Sequence, residues 1–208
     1  LAYIGNKPAN KAVVASDLDP AVITGQTALA VAPADTDEFL ISDAGTLKRI
    51  DASLVGGGGI TEADQWRITA NITSDQSPIS SNLERNDSTG YGRIGTGITE
   101  SSGIFSFGST GIYKVSYTLV CYPNTNDDIF GDIQVTTNNS SYSSVAEVSL
   151  SRDGNGITTG STFALVDVTD TSNVKVRFIV TDITSGSTVR GNSTKNQTFF
   201  EFIRLGDT

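Results

Sequence analysis

Two pairs of carboxylates stand close enough in the chain to suggest hydrolytic chemistry, Asp127 with Asp128 and Asp167 with Asp170. A glycoside hydrolase needs two such groups flanking the scissile bond, one as acid and one as base or nucleophile. Adjacent residues on a strand point to opposite faces, so Asp127 and Asp128 do not converge in extended chain. Acidic pairs on β surfaces are ordinary. Oxygen-rich stretches offer a second chemistry: Asn124-Thr-Asn-Asp-Asp128 and Ser151-Arg-Asp-Gly-Asn-Gly156 hold potential ligands for Ca²⁺. Calcium takes about six to eight oxygens, several from carboxylates, and neither stretch has EF-hand spacing. Both read more simply as solvated turns.

The missing residue types exclude more than the present ones suggest. The 208 residues contain no His, which removes the commonest zinc ligand and the commonest general base near neutral pH. Cys121 is the single cysteine, so it forms neither an internal disulfide nor a cysteine-based metal site. In Gly111-Ile-Tyr-Lys-Val-Ser-Tyr-Thr-Leu-Val-Cys-Tyr122, period two puts Cys121 on one face with Tyr113, Val115, Tyr117 and Leu119. It is expected to be a small buried hydrophobe. No catalytic residue, cofactor or metal is therefore expected. The net charge of −9 is spread without runs. A nucleic-acid partner needs a basic stripe to release counterions, so none is expected. No apolar run is long enough to cross a bilayer as a helix. The opening Leu1-Ala-Tyr-Ile-Gly-Asn-Lys7 lacks the basic and then apolar pattern of a signal peptide.

The elements that would position any site are read from spacing. Gly56-Gly-Gly-Gly59 costs too much backbone entropy to lie inside an element, so it reads as a linker between residues 1–55 and 60–208. In the first part, Asp37–Asp43 and Leu47–Asp51 are half-apolar runs around Ala44-Gly45-Thr46, a hairpin signal. Residues 9–34 read as extended or irregular, with at most a short helix around Ser16 to Val22. An isolated hairpin is marginal in water. Phe39, Leu40, Ile41, Leu47 and Ile50 are therefore expected to dock on a partner surface. The second part is a series of alternating segments: Trp66–Thr73, Ile104–Phe107, Ile112–Tyr122, Ile129–Thr137, Ser144–Ser151, Thr162–Thr169, Val174–Thr181 and Thr198–Leu205. That spacing predicts an all-β sandwich or barrel.

The final segment, Thr198-Phe-Phe-Glu-Phe-Ile-Arg-Leu205, is apolar on both faces. Phe199, Ile203 and Leu205 share one face, and Phe200 and Phe202 the other. Such a strand must be covered on both sides, the second layer being most simply another subunit. All five residues are expected at an oligomer axis. Tyr91, Tyr122, Phe130 and Tyr142 lie in or beside predicted loops and are candidate contacts to a receptor. Each is as well suited to plugging one end of the sandwich. The Asn-x-Ser/Thr triplets at Asn71, Asn86, Asn138, Asn139, Asn192 and Asn196 are what a Ser/Thr/Asn-rich chain forms by chance.

Several passages in residues 60–208 follow one family's order: the early Trp66 strand, Phe105-Ser-Phe-Gly-Ser-Thr-Gly-Ile-Tyr-Lys-Val-Ser-Tyr117, Ser161–Val168 with Thr171–Val176, and Phe199-Phe-Glu-Phe-Ile203. Together they resemble the jelly-roll head of the complement globular-head and tumour-necrosis-factor (TNF) families, with Glu201 where glycine is usual. The resemblance implies a homotrimer whose closing strand lies near the axis. No Gly-X-Y repeat precedes the head. Tyr3-Ile-Gly-Asn-Lys-Pro-Ala9 and Pro33–Ile50 resemble N-terminal anchors of fibre and appendage proteins of tailed marine bacteriophages. The joint expectation is an all-β virion protein without enzymatic activity. Its residues 1–55 would attach to other virion proteins, and its jelly-roll head would face a host-surface glycan or protein. A capsid or tail decoration protein, or a secreted TNF-like ligand or adhesin, is the alternative.

Overall fold

Two consecutive residues with positive φ, Ala44 at 48° and Gly45 at 82°, fold the first part of the chain back on itself. Such a two-residue turn matches the twist of antiparallel strands. It joins β1 (Glu38–Asp43) to β2 (Thr46–Asp51), in register from Glu38↔Asp51 to Asp43↔Thr46. The structure is a computed structural model that describes residues 21–25, 27, 29, 31, 33–34, 36–55, 59–124, 127–151 and 156–208. Exposed ion pairs, Lys48–Asp43 and Arg49–Glu38, lie along the hairpin. Ala52 N donates to Asp37 O and a 3-10 turn, Ala52–Leu54, follows. The helical segment is a single turn, α1 (Ala21–Thr24); the earlier part of the expected helix, residues 16–20, lies outside the described residues. The chain divides into two compact units, Leu1–Gly58 and Gly59–Thr208.

The second unit, the head, contains β3 (Ala63–Ile68), β4 (Leu83–Arg85), β5 (Thr99–Ser101), β6 (Ile104–Ser106), β7 (Gly111–Tyr122), β8 (Asp128–Thr136), β9 (Ser143–Ser151), β10 (Thr158–Val168), β11 (Lys175–Thr181), β12 (Thr188–Val189) and β13 (Phe199–Gly206). One antiparallel sheet has the order β10-β7-β13-β3-β4, with β12 pairing the end of β7. The other has the order β5-β6-β11-β8-β9. Each expected segment contributes a strand, with shifted ends. The first begins at Ala63 and stops at Ile68, and β10 starts at Thr158. The short strands β4, β5 and β12 carry too few residues to show a period.

The core forms where the inner faces of the two sheets meet. Tyr113, Val115, Tyr117, Leu119 and Cys121 of β7 are all fully buried, as their period-two spacing requires. Opposite them lie Ile129 and Ile133 of β8 and Val176, Phe178 and Val180 of β11. Phe105 joins the layers, packing within 6 Å of Trp66, Phe178, Phe200 and Phe202. Gly131 sits between Ile129 and Ile133 in β8 because the Tyr117 ring fills that space. A Cβ there would lie 2.7 Å from Tyr117 Cε1.

One buried cation organises the sheet's outer side. Arg67 of β3 is fully buried, paired with Glu84 and Asp87. It also donates to Asn86 Oδ1, Ser88 Oγ and the Ser193 carbonyl. A buried guanidinium is tolerated only with this degree of pairing. It ties two loops, around residues 86–88 and 193, to the sheet.

Candidate functional site

β13 runs between β7 and β3, and the alternation of its side chains decides what the head can present. Phe200 and Phe202 point inward, 0% and 1% exposed. Phe200 stacks on Phe178 with ring centroids 3.9 Å apart. The expectation that all five apolar residues of this strand lie at a subunit axis is therefore corrected for Phe200 and Phe202. Both are consumed by the core of their own head. Phe199 and Ile203 are half-buried on the outer face, and Leu205 is 56% exposed.

Beyond β7, β10 adds Phe163 and Leu165 to the same outer face, 57% and 62% exposed. Sequence reasoning did not single them out, because Thr162-Phe-Ala-Leu-Val166 has no polar face to mark the outside. Between these apolar groups lies a groove of about 280 Å³. Ser116, Thr118 and Ser161 form its hydroxyl floor, Phe163 and Phe199 its walls. Thr118 Oγ1 and Ser161 Oγ are 2.8 Å apart, and Gln65 Nε2 donates to Glu201 Oε1 at 2.8 Å. Lys114 Nζ lies 5.2 Å from the centre of the Phe163 ring. At the sandwich edge, Val135, Val145 and Leu165 line a further cleft of about 200 Å³. Both depressions open on apolar side chains that the head leaves exposed.

On the hairpin, Phe39, Leu40 and Ile41 are exposed and Ile50 is half-buried. Phe39 and Ile50 are cross-strand partners, and Ile41 follows on that face; Leu40 alternates to the other. Leu47 pairs with Ser42 in the backbone register. The expected docking residues are thus gathered on one hairpin and divided between its faces.

Of the four candidate carboxylates, Asp127 and Asp170 are engaged in hydrogen bonds and Asp128 and Asp167 are exposed. Asp127 is buried, accepting from Ser187 Oγ and from Thr184 N at 3.3 Å, while Asp128 is exposed at the start of β8. Ser187 Oγ also accepts from Asn124 N at 2.7 Å, so this cluster latches two loops together. Asp167 is exposed on β10; Asp170 caps a turn, accepting from Ser172 N at 2.7 Å and Asn173 Nδ2 at 2.6 Å. Those bonds hold its carboxyl below the usual range. Residues 125–126 and 152–155 of the two candidate calcium loops lie outside the described residues. Among the described residues no three acidic, His or Cys side chains are grouped to hold a metal. The most buried acid among the described residues, Asp64, accepts from Ile98 N at 2.8 Å, Arg85 Nε at 3.0 Å and Trp66 Nε1 at 3.3 Å. Little in the local sequence marked it, since Arg85, Tyr91 and Ile98 come from distant segments. Burial, and then the Asp127 charge, push the Cys121 thiol up to about 12.

The four candidate aromatics do not converge. Tyr91 is anchored: its hydroxyl accepts from Gln65 N at 2.6 Å and donates to Asp64 Oδ1 at 3.3 Å. Burial and then the Asp64 charge push its phenol up to about 12. Tyr122 is exposed at the end of β7. Phe130 lies on the outer face of the other sheet, and Tyr142 beside the same sheet, 4.3 Å below the guanidinium carbon of Arg177.

No protein-family model and no curated protein matches this chain. Solved structures do. Murine APRIL at pH 5.0 superposes with a TM-score of 0.53 at 9% identity, covering 69% of this chain and 98% of APRIL. Eiger TNF from S. frugiperda gives 0.52 at 13% identity, covering 72% of this chain and 96% of Eiger. Murine APRIL at pH 8.5 gives 0.51 at 10% identity, covering 69% of this chain and 98% of APRIL. The head has a TNF-like jelly-roll fold. At such identities the likeness is one of fold. In this TNF-like head the sheet β10-β7-β13-β3-β4 carries the outer apolar residues. The opposite sheet carries Phe130 and Arg177.

Proposed function

We propose that the chain is a non-catalytic virion appendage protein of a bacteriophage, a trimer whose TNF-like heads face outward and whose residues 1–55 dock on the particle. The observation that carries the trimer is the outer face of the β10-β7-β13 sheet. Phe163 and Leu165 are exposed on β10 and Leu205 at the end of β13, Phe199 and Ile203 are half-exposed on β13, and a hydroxyl-floored groove runs between Phe163 and Phe199. Apolar surface of this kind is stabilised when removed from water, at about 25 cal/mol per Å². Two distinct patches on one molecule favour a head-to-tail contact, and such contacts close into rings. The number three follows from the resemblance to TNF-like heads.

The docking role rests on the hairpin. Phe39, Leu40 and Ile41 are exposed on a two-stranded sheet, and no apolar residue of this unit is fully buried among the described residues. Its strand edges, unpaired among the described residues, suit addition to another sheet. The phage setting comes from the likeness of the first 55 residues to appendage anchors. Two measurements test the reading. Light scattering on the purified chain should give a trimer, and Phe163→Asp with Leu205→Asp should give folded monomers. A fusion of residues 1–59 to an unrelated trimeric domain should be incorporated into particles. A chain lacking residues 1–55 yet present on particles at normal copy number would sink the docking assignment.

A further inference from the structure

The outer face of the β5-β6-β11-β8-β9 sheet carries a polar chain with a fixed direction. Arg177 Nε donates to Gln134 Oε1 at 2.7 Å, Gln134 Nε2 to Ser144 Oγ at 3.1 Å, and Ser144 Oγ to Asp132 Oδ2 at 2.5 Å. The four side chains cross β11, β8 and β9, where Arg177 faces Gln134 and Gln134 faces Ser144. At one end the Arg177 guanidinium is stacked 4.3 Å from the centre of the Tyr142 ring. Hydrogen bonds at an exposed surface contribute little to stability, and ordering four polar side chains costs rotamer entropy. What the arrangement does provide is a set of oriented free valences. Arg177 Nη1 and Nη2 have no acceptor among the described residues, and Asp132 Oδ1 accepts no hydrogen bond among them. In a chain of net charge −9, this cation has no carboxylate partner among the described residues.

The face is also polarised. Lys175, two residues from Arg177 on the same side of β11, adds positive charge at one end. Glu147, directly opposite Asp132, makes the other end acidic. Gln134 and Asp132 are two residues apart on β8, about 7 Å at strand rise, the scale of a single sugar residue.

We infer that this face binds a carboxylate-bearing sugar, such as a uronic or sialic acid residue of a surface polysaccharide. The free guanidinium fork takes the carboxylate in bidentate fashion. Asp132 accepts from a ring hydroxyl, and Phe130, two residues further along β8, gives an apolar surface for the C–H face of the adjoining sugar residue. The acidic end turns the ligand so that its carboxylate lies toward Arg177. A peptide is the poorer fit: β8 is paired on both sides, so no strand can add to it and only side chains are on offer. The inference rests on the reading of the head as the outward-facing part and names its ligand class.

The test uses the full chain and isothermal titration with three acidic probes, trigalacturonate, an oligomannuronate and sialyllactose. Neutral galactotriose and a tetraglutamate peptide serve as controls. At least one acidic sugar should bind, and the neutral one should not. Arg177→Gln should weaken that binding at least tenfold, and Tyr142→Ala, which frees the guanidinium to swing, several-fold. Both variants should keep the wild-type melting temperature and the oligomeric state seen by light scattering. Failure of all three acidic sugars, unchanged affinity in Arg177→Gln, or preference for tetraglutamate would each overturn the assignment. In those cases a trimer that still joins particles leaves the appendage reading standing, because its own tests do not involve this face.

Discussion

Phe199 and Phe200 are neighbours on one strand and should fail in different ways. Phe200 is fully buried, stacked on Phe178 at 3.9 Å with 17° between planes, and 5.0 and 5.7 Å from the rings of Tyr117 and Phe105. Phe200→Ala empties a space walled by rings that belong to both sheets and cannot collapse into it. Such a loss costs about 3–5 kcal/mol. In a domain of this size each kcal/mol lowers Tm by about 2–4 °C, so a fall of roughly 6–20 °C is expected at any protein concentration. Phe199→Ala trims a ring on the outer face, where the isolated head should lose under about 1 kcal/mol. Its main effect falls on association. Anything that binds only the folded state raises Tm with concentration. The gap between Phe199→Ala and wild type should therefore vanish on dilution and widen as the protein is concentrated. Trp66 fluorescence melts over a hundredfold concentration range, with light scattering at each point, make the measurement. Equal and concentration-independent losses for the two variants would refute the assignment of the two faces.

Gly131→Ala places a Cβ 2.7 Å from Tyr117 Cε1 and 3.0 Å from Leu119 Cδ2, both on fully buried side chains. Overpacking of this kind costs about 1–3 kcal/mol, so the urea midpoint should fall with an unchanged slope; wild-type stability would mean that the sheets lie further apart. With its thiol held at about 12 against an ordinary 9.0, Cys121 should react with a disulfide reagent at pH 8 only as fast as the head unfolds. The unfolded chain ionises that thiol first, so its contribution to stability is complete below pH 9 and is lost as pH rises from 9 toward 12. Rapid labelling of native protein would contradict both statements.

The strands were legible where alternation is strict. Val174, Val176, Phe178 and Val180 are all buried, as are the five period-two residues of β7. For β13 the spacing separates the two faces but not their fates. What draws Phe200 and Phe202 inward is Phe105 and Phe178 from the other sheet, and no local pattern records them. β10 inverts the usual rule. Its inner side carries small residues, Thr158, Gly160, Thr162 and Ala164, while Phe163 and Leu165 point out. The cause lies on β9: a Cβ on Gly160 would meet Val148 Cγ2 and Leu150 Cδ2 at 2.8 Å. The Arg177 chain was hidden for the same reason, since its members come from three strands brought side by side only by the fold.

The point at which the chain enters the head has a mechanical meaning. Gly59 leads into β3, and β3 is hydrogen-bonded along both edges, to β13 on one side and to β4 on the other. Bonds in an antiparallel ladder run across the strands. Tension applied to the chain ahead of Gly59 and directed along β3 loads that strand lengthwise. Every rung then shares the strain at once, where a strand drawn sideways would surrender its rungs one by one. A head loaded in this direction should hold under tugging far better than its equilibrium stability alone would suggest.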